Sequence, residues 1–180
     1  MAESQDDPAP LLRDFVNTLN VEAAEDELMT PGRLAAWLAG RGLVPEGARA
    51  SGTDLVTGIA LREGLREAMS AHHGPRGADF PDDLDDALAA LPLRVTLTEG
   101  RPRLVPLDPP GTAAAGLARL AAAIMDSVAA GTWPRLKVCQ EDTCRWAFLD
   151  TSKNRSRAWC SMSVCGNRTK TRAYRARRRA

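Results

Sequence analysis

The stretch CQEDTCRWAFLDTSKNRSRAWCSMSVC, residues 139–165, holds all four cysteines of this 180-residue chain. Their spacing is Cys-x4-Cys-x15-Cys-x4-Cys, at Cys139, Cys144, Cys160 and Cys165. Two close pairs separated by a short insert can present four thiolates to one tetrahedral zinc ion. With sulfur in all four places such an ion is structural and leaves no position open for water or substrate. Four reduced thiols packed as small apolar groups are the plain alternative. The paired spacing favours the metal.

The residues around the cysteines suggest a local architecture. Only polar residues separate Cys139 from Cys144, as suits a tight knuckle. Arg145 to Asp150 can run as a strand with Trp146 and Phe148 on one face. Thr151 to Asn154 supplies a turn, and the chain returns through Arg155 to Trp159. Ser161 reads as a helix N-cap, which makes Cys160 the residue before the cap and Cys165 the fourth in the helix. Those two positions touch in a hydrophobic staple. Knuckle, hairpin and helix in that order predict a treble-clef-like zinc module. Its centre carries a net charge of about −2, which Arg145, Arg168 and Lys170 stand near enough in sequence to offset.

The formal charge of +1 hides an asymmetry. Residues 135–180 carry 13 Lys+Arg against three acids, and residues 1–134 carry 11 against 20. All three lysines, Lys137, Lys153 and Lys170, lie in the basic part. An acidic body joined to a basic end suggests a polyanion-binding tail. The bland alternative is that the two parts neutralise each other by docking. The uninterrupted apolar runs are too short to span a membrane. The acidic start, Met1 to Asp7, is the opposite of a secretory signal. The expected compartment is the cytoplasm, where clustered cysteines more often mean metal than disulfide.

The remaining sequence reads as a mainly helical body. Leu12, Phe15, Val16 and Leu19 lie on one face of a helix over Leu11–Leu19. Thr30-Pro31 starts a second helix through Leu34, Trp37 and Leu38, which Gly40 or Gly42 ends. A third spans Thr53 to about His72, with Leu55, Val56, Ile59, Leu65 and Met69 inward and Gly74-Pro75 closing it. An acidic helix covers Pro81–Leu91, its aspartates complementing the helix dipole. Leu93–Thr98 and Arg103–Leu107 alternate around Glu99-Gly100, a β-hairpin. Thr112 or Ala113 opens an alanine-rich helix to Ala130, with Leu117, Leu120, Ile124, Met125 and Val128 inward. Adjacent His72 and His73 point different ways and read as a solvated helix end. No phosphate loop, nucleophile elbow or zinc-protease motif is present, so no enzymatic activity is expected.

The residues from Cys144 to Asn154, then Arg157-Ala-Trp-Cys-Ser-Met162, then Cys165-Gly-Asn-Arg168-Thr-Lys170, resemble the CGNR zinc-finger family. The family is named for the tetrapeptide that stands here at 165–168. Upstream, Phe15-Val-Asn-Thr-Leu19 and Trp37-Leu38 resemble the N-terminal domain that usually precedes this finger. The resemblance implies a bacterial, DNA-binding, stress-induced transcription regulator.

Independently of that resemblance, Arg168, Arg172, Arg175 and Arg179 recur at helical spacing and would form one stripe, with Lys170 nearby. Arg177 and Arg178 would widen it, with Tyr174 beside it. The expectation is therefore an α+β chain, mainly α with one small β-hairpin. A helical body spans 1–134 and a finger with one structural Zn2+ spans 135–180. The finger would bind DNA through Arg168, Lys170, Arg172, Arg175 and Arg179. The body would sense a small-molecule effector, with Trp37 as a candidate pocket residue, form a homodimer, or both. The rivals are a protein-interaction module and a redox or zinc sensor built on the same finger.

Overall fold

The computed structural model describes residues 7–74, 82–98 and 100–178. Among these are six α-helices and three two-stranded antiparallel pairs, the α+β class expected. Met1–Asp6, Pro75, Pro81, Glu99 and Arg179, all used in the sequence reading, lie outside the described residues. No described helix is long and apolar enough to cross a membrane.

Helix α1 (Ala9–Val16) starts before the expected Leu11 and stops short of Leu19. The Thr18 hydroxyl donates back to the Phe15 carbonyl at 2.8 Å, and the chain leaves the helix there. Leu19–Asn20 (β1) then pairs with Glu25–Asp26 (β2), a hairpin too short to show in hydrophobic periodicity. Helix α2 (Pro31–Gly40) has the expected Thr30 cap, which accepts from the Arg33 N–H, and Gly42 follows at φ +66°.

Helix α3 (Gly52–Ala71) opens on a capping box formed by Ser51 and Asp54. Its inward face differs from the one expected. Val56 is 68% exposed, while Arg62 and Arg66 are buried beside Leu61, Leu65 and Met69. Both arginines find fixed acceptors inside, which apolar periodicity cannot anticipate. Arg62 is bidentate to Asp26 at 2.7 and 3.0 Å and so holds the β1–β2 hairpin. Arg66 donates to the carbonyls of Val16 (2.6 Å), Leu19 (3.4 Å) and Arg145 (3.0 Å), and to Glu63 (3.1 Å).

Helix α4 (Asp82–Ala89) lies close against α3 at Gly64, where a Cβ would come within 2.8 Å of Leu84 Cβ. Strands β3 (Leu93–Thr98) and β4 (Arg101–Pro106) pair from Leu93↔Pro106 to Thr98↔Arg101, with Gly100 at φ +73° in the turn. Helix α5 (Ala113–Ala129) is capped by Thr112 and buries Leu117 and Leu120. Met125 and Val128, expected inward, are 54% and 48% exposed.

The C-terminal part corrects the expected order of knuckle and hairpin. Leu136–Val138 (β5) pairs with Ala147–Leu149 (β6), so the hairpin brackets the first cysteine pair rather than following it. The knuckle itself reverses the chain: the Cys144 N–H donates to Glu141 O at 2.8 Å, and the Cys139 N–H to Trp146 O at 2.9 Å. The return through Arg155–Trp159 is not a strand. It touches the knuckle by the Gln140 N–H donating to Ala158 O.

Body side chains clamp both free edges of this hairpin. On the β6 side the Asn17 amide exchanges two hydrogen bonds with Ala147, at 2.8 and 2.9 Å, as a neighbouring strand would. On the β5 side His72 Nδ1 and His73 Nε2 donate to the carbonyls of Leu136 and Val138, each at 2.6 Å. The two histidines are therefore part-buried edge caps rather than a solvated helix end. Burial lowers the pKa of both. Their contribution is whole above the ordinary 6.5 and is lost as pH falls below it.

One apolar core runs across the 134/135 border. Leu136, Val138 and Ala147 join Leu12, Phe15, Leu34, Leu38, Leu61, Leu65, Leu117 and Leu120 in it. Two outcomes follow. Arg66→Ala leaves three carbonyls without their shared donor and should cost about 3–5 kcal/mol in chemical denaturation. A 1–134 fragment should melt well below the full chain, because β5 and β6 complete its core. Equal melting temperatures would show a self-sufficient body.

Candidate metal centre and basic helix

The four cysteine sulfurs lie within 4.8 Å of one another, with Cys144–Cys160 and Cys160–Cys165 each at 3.6 Å. Four sulfurs bound to zinc at about 2.3 Å stand about 3.8 Å apart at the corners of a tetrahedron. A disulfide would need about 2.05 Å. The chain's own geometry thus fits one zinc ion in an all-sulfur shell. Cys139, Cys144 and Cys165 are buried, and Phe148 and Trp159 pack around them.

Ser161 caps the following helix as expected, its hydroxyl accepting from the Val164 N–H. The first turn, Met162–Gly166, is a π turn closed by the Gly166 N–H donating to Ser161 O. This wider turn carries Cys165 back beside Cys160. A Cβ at Gly166 would meet Met162 Sδ at 2.5 Å and Trp159 Cε3 at 3.4 Å. The glycine therefore lets the helix start close against the metal site.

The hairpin beneath the site is locked by a buried ion pair. Lys137 Nζ donates to Asp150 Oδ2 at 2.9 Å, and both side chains are buried. Burial alone would raise the Asp150 pKa. Hydrogen bonds from Ser152, Lys137 and the Arg157 N–H win and hold it at about 2. Arg145 closes the knuckle in the left-handed region, at φ +50°. That conformation is uncommon for a residue with a side chain, and the bond from Arg66 to the Arg145 carbonyl holds it there.

Helix α6 (Asn167–Arg177) continues from the π turn. The structure separates the members of the expected arginine stripe. Arg172 Nη2 binds Glu141 Oε1 at 2.5 Å and Nη1 lies 3.5 Å from Asp142. Glu141 is 1% exposed and also accepts from Thr169 at 2.8 Å. Thr169 and then Arg172 hold its carboxyl below the usual range against the push of burial. Arg168 reaches Glu22 of the body at 2.9 Å and the Thr143 hydroxyl. Arg168 and Arg172 thus tie α6 to the knuckle and to the β1–β2 turn. Lys170, Tyr174, Arg175, Arg177 and Arg178 are exposed, and Arg178 lies over the Tyr174 ring at 5.7 Å. Lys170, Tyr174 and Arg177 fall at i, i+4 and i+7, on the helix side opposite Arg168 and Arg172.

Sequence reasoning found the four ligands and the helix. It missed Glu141, whose only signal was its place between two cysteines, and it missed Asn17, present in the Phe15–Leu19 motif without an assigned role.

Purified protein should hold about one zinc per chain with an all-sulfur shell, read by metal analysis and X-ray absorption. Cys165→Ser should lose the ion and lower the stability of the whole chain, since the finger and the body share a core. Burial pushes the Cys165 thiol up to about 11. Thiolates must therefore form as the ion binds, and the apparent zinc affinity should fall as pH falls.

Comparison with known proteins agrees with this geometry. Residues 135–178 match the family model of the CGNR zinc finger. Residues 9–131 match ABATE, described as "Putative stress-induced transcription regulator". Comparison with curated proteins gave no match. The second family model alone spans more than half the chain, and the chain belongs to the ABATE family, with a CGNR zinc finger at its C-terminal end.

Proposed function

We propose that this chain is a DNA-binding transcription regulator of the bacterial cytoplasm, without enzymatic activity. Its zinc finger would fix a basic helix against the duplex, and its body would receive the signal. The observation that carries the reading is the division of labour along α6. Arg168 and Arg172 are spent on Glu22, Glu141 and Asp142. Lys170, Arg175, Arg177 and Arg178 stay exposed on a helix rooted at the metal centre. Such a helix suits phosphate contact and can lie in a major groove. Tyr174 offers an aromatic face among them.

Removing a side chain that neutralises one phosphate lowers the salt dependence of binding by about one unit. Lys170→Ala with Arg177→Ala should therefore reduce the slope of log K against log salt by about two. Zinc content and melting temperature should not change. Arg172→Ala should act differently, because it strips the buried Glu141 carboxylate of its cation. It should destabilise the protein, by about 1–3 kcal/mol. Fluorescence anisotropy with duplex DNA across a salt series, beside thermal unfolding, separates the two effects. Unchanged affinity and slope for the Lys170/Arg177 variant would refute this DNA-facing side of the helix.

A further inference from the structure

The seam between body and finger is packed around Arg66 but opens on one side. There, α1 and α2 face β6 across a cleft of ≈ 670 Å³. That volume lies in the range of small-molecule sites, about 300–1,000 Å³. Its walls come from both parts of the chain: Arg13, Asp14, Trp37 and Arg41 from the body, Trp146 and Arg157 from the finger.

The unused bonding capacity of this cleft is donor capacity. Asp14 is shared between Arg13, at 2.8 Å, and Arg41, at 3.0 Å, so one carboxylate serves two guanidiniums. The Arg157 guanidinium has no carboxylate partner among the described residues. It lies 5.0 Å over the Phe148 ring and donates to the carbonyls of Trp159 and Cys160. Trp37 is nine-tenths buried in the cleft wall and offers it no free donor. The remaining acid in the lining, Glu27, is exposed. Three guanidiniums against two carboxylates favour an anion.

The faces are aromatic. Trp37 lies under the Arg41 guanidinium at 5.0 Å, and Phe148 lies under Arg157. Trp146 is 37% exposed, a large apolar ring that the packed core does not cover. Guanidinium forks match carboxylates bidentately, and ring faces match planar apolar bodies.

We infer that this cleft binds a small aromatic carboxylate, with the carboxylate on Arg13 and Arg41 and the ring against Trp146. A ligand held this way touches the body and the finger at once. The site deepens the sensing half of the proposed function and is independent of the DNA half.

The test uses the zinc-loaded full chain and isothermal titration calorimetry with 2-naphthoate. 2-Naphthamide and inorganic phosphate serve as controls for the charge and for the ring. Saturable one-to-one binding of 2-naphthoate is expected, with each control at least about tenfold weaker. Arg13→Gln, Arg41→Gln and Trp146→Ala should each weaken binding by about tenfold while zinc content stays at the parent value. These side chains are at least partly exposed, and melting curves of the variants verify folding. No saturable binding up to about 5 mM overturns the inference. So does naphthamide or phosphate binding as tightly as naphthoate, or indifference to all three substitutions. A protein that binds DNA with a salt-dependent affinity yet ignores these acids loses the ligand site alone. One that binds the acid but no DNA keeps it.

Discussion

One buried guanidinium joins the three segments on which the molecule turns. Arg66, from the middle of α3, gathers the carbonyl that ends α1, the carbonyl of β1 and the carbonyl of Arg145 in the zinc knuckle. Each acceptor lies where regular structure stops, and so would otherwise lack a donor. A fork of fixed N–H groups satisfies all of them from one side chain. The clamps on the hairpin edges repeat the logic with neutral groups: Asn17 mimics a strand, and His72 and His73 cap two carbonyls two residues apart.

This seam explains how an acidic body and a basic end can share one molecule without cancelling. Among the described residues a single ion pair, Arg168 with Glu22, crosses from finger to body. The joint is otherwise made of apolar side chains and hydrogen bonds to main chain. Such contacts are insensitive to salt, and they leave most of the basic residues of α6 facing solvent. Docking and charge display are thus compatible.

The metal centre and the helix are coupled by the same economy. Zinc fixes Cys160 and Cys165, the π turn fixes the start of the helix, and Glu141 fixes its azimuth by binding Thr169 and Arg172. A carboxylate buried inside the knuckle would be costly alone. Set between two α6 side chains, it becomes the reason that one face of the helix points inward and the other outward.

Much of this was legible from residue types and spacing. Paired cysteines fixed the ligands, because one tetrahedral ion tolerates few spacings. Thr30-Pro31 and Thr112 fixed helix starts, because capping is a local matter. The alternation around Glu99-Gly100 marked a hairpin for the same reason. What failed involved partners distant in sequence. Val56 on α3 and Met125 on α5 are apolar at helical spacing, yet they face solvent, and on α3 two inward positions belong to arginines whose acceptors lie in other segments. The histidine pair looked like a solvated helix end until β5 arrived 64 residues later to use it. The arginine stripe was real as a periodicity, but only the tertiary structure decided which side of it was spent, because a buried glutamate 31 residues away claims Arg172. The sequence by itself determined the helices, the β3–β4 hairpin and the metal, whose causes are local. The seam, the orientation of the helix and the cleft came from the tertiary structure, whose causes are pairings across the chain.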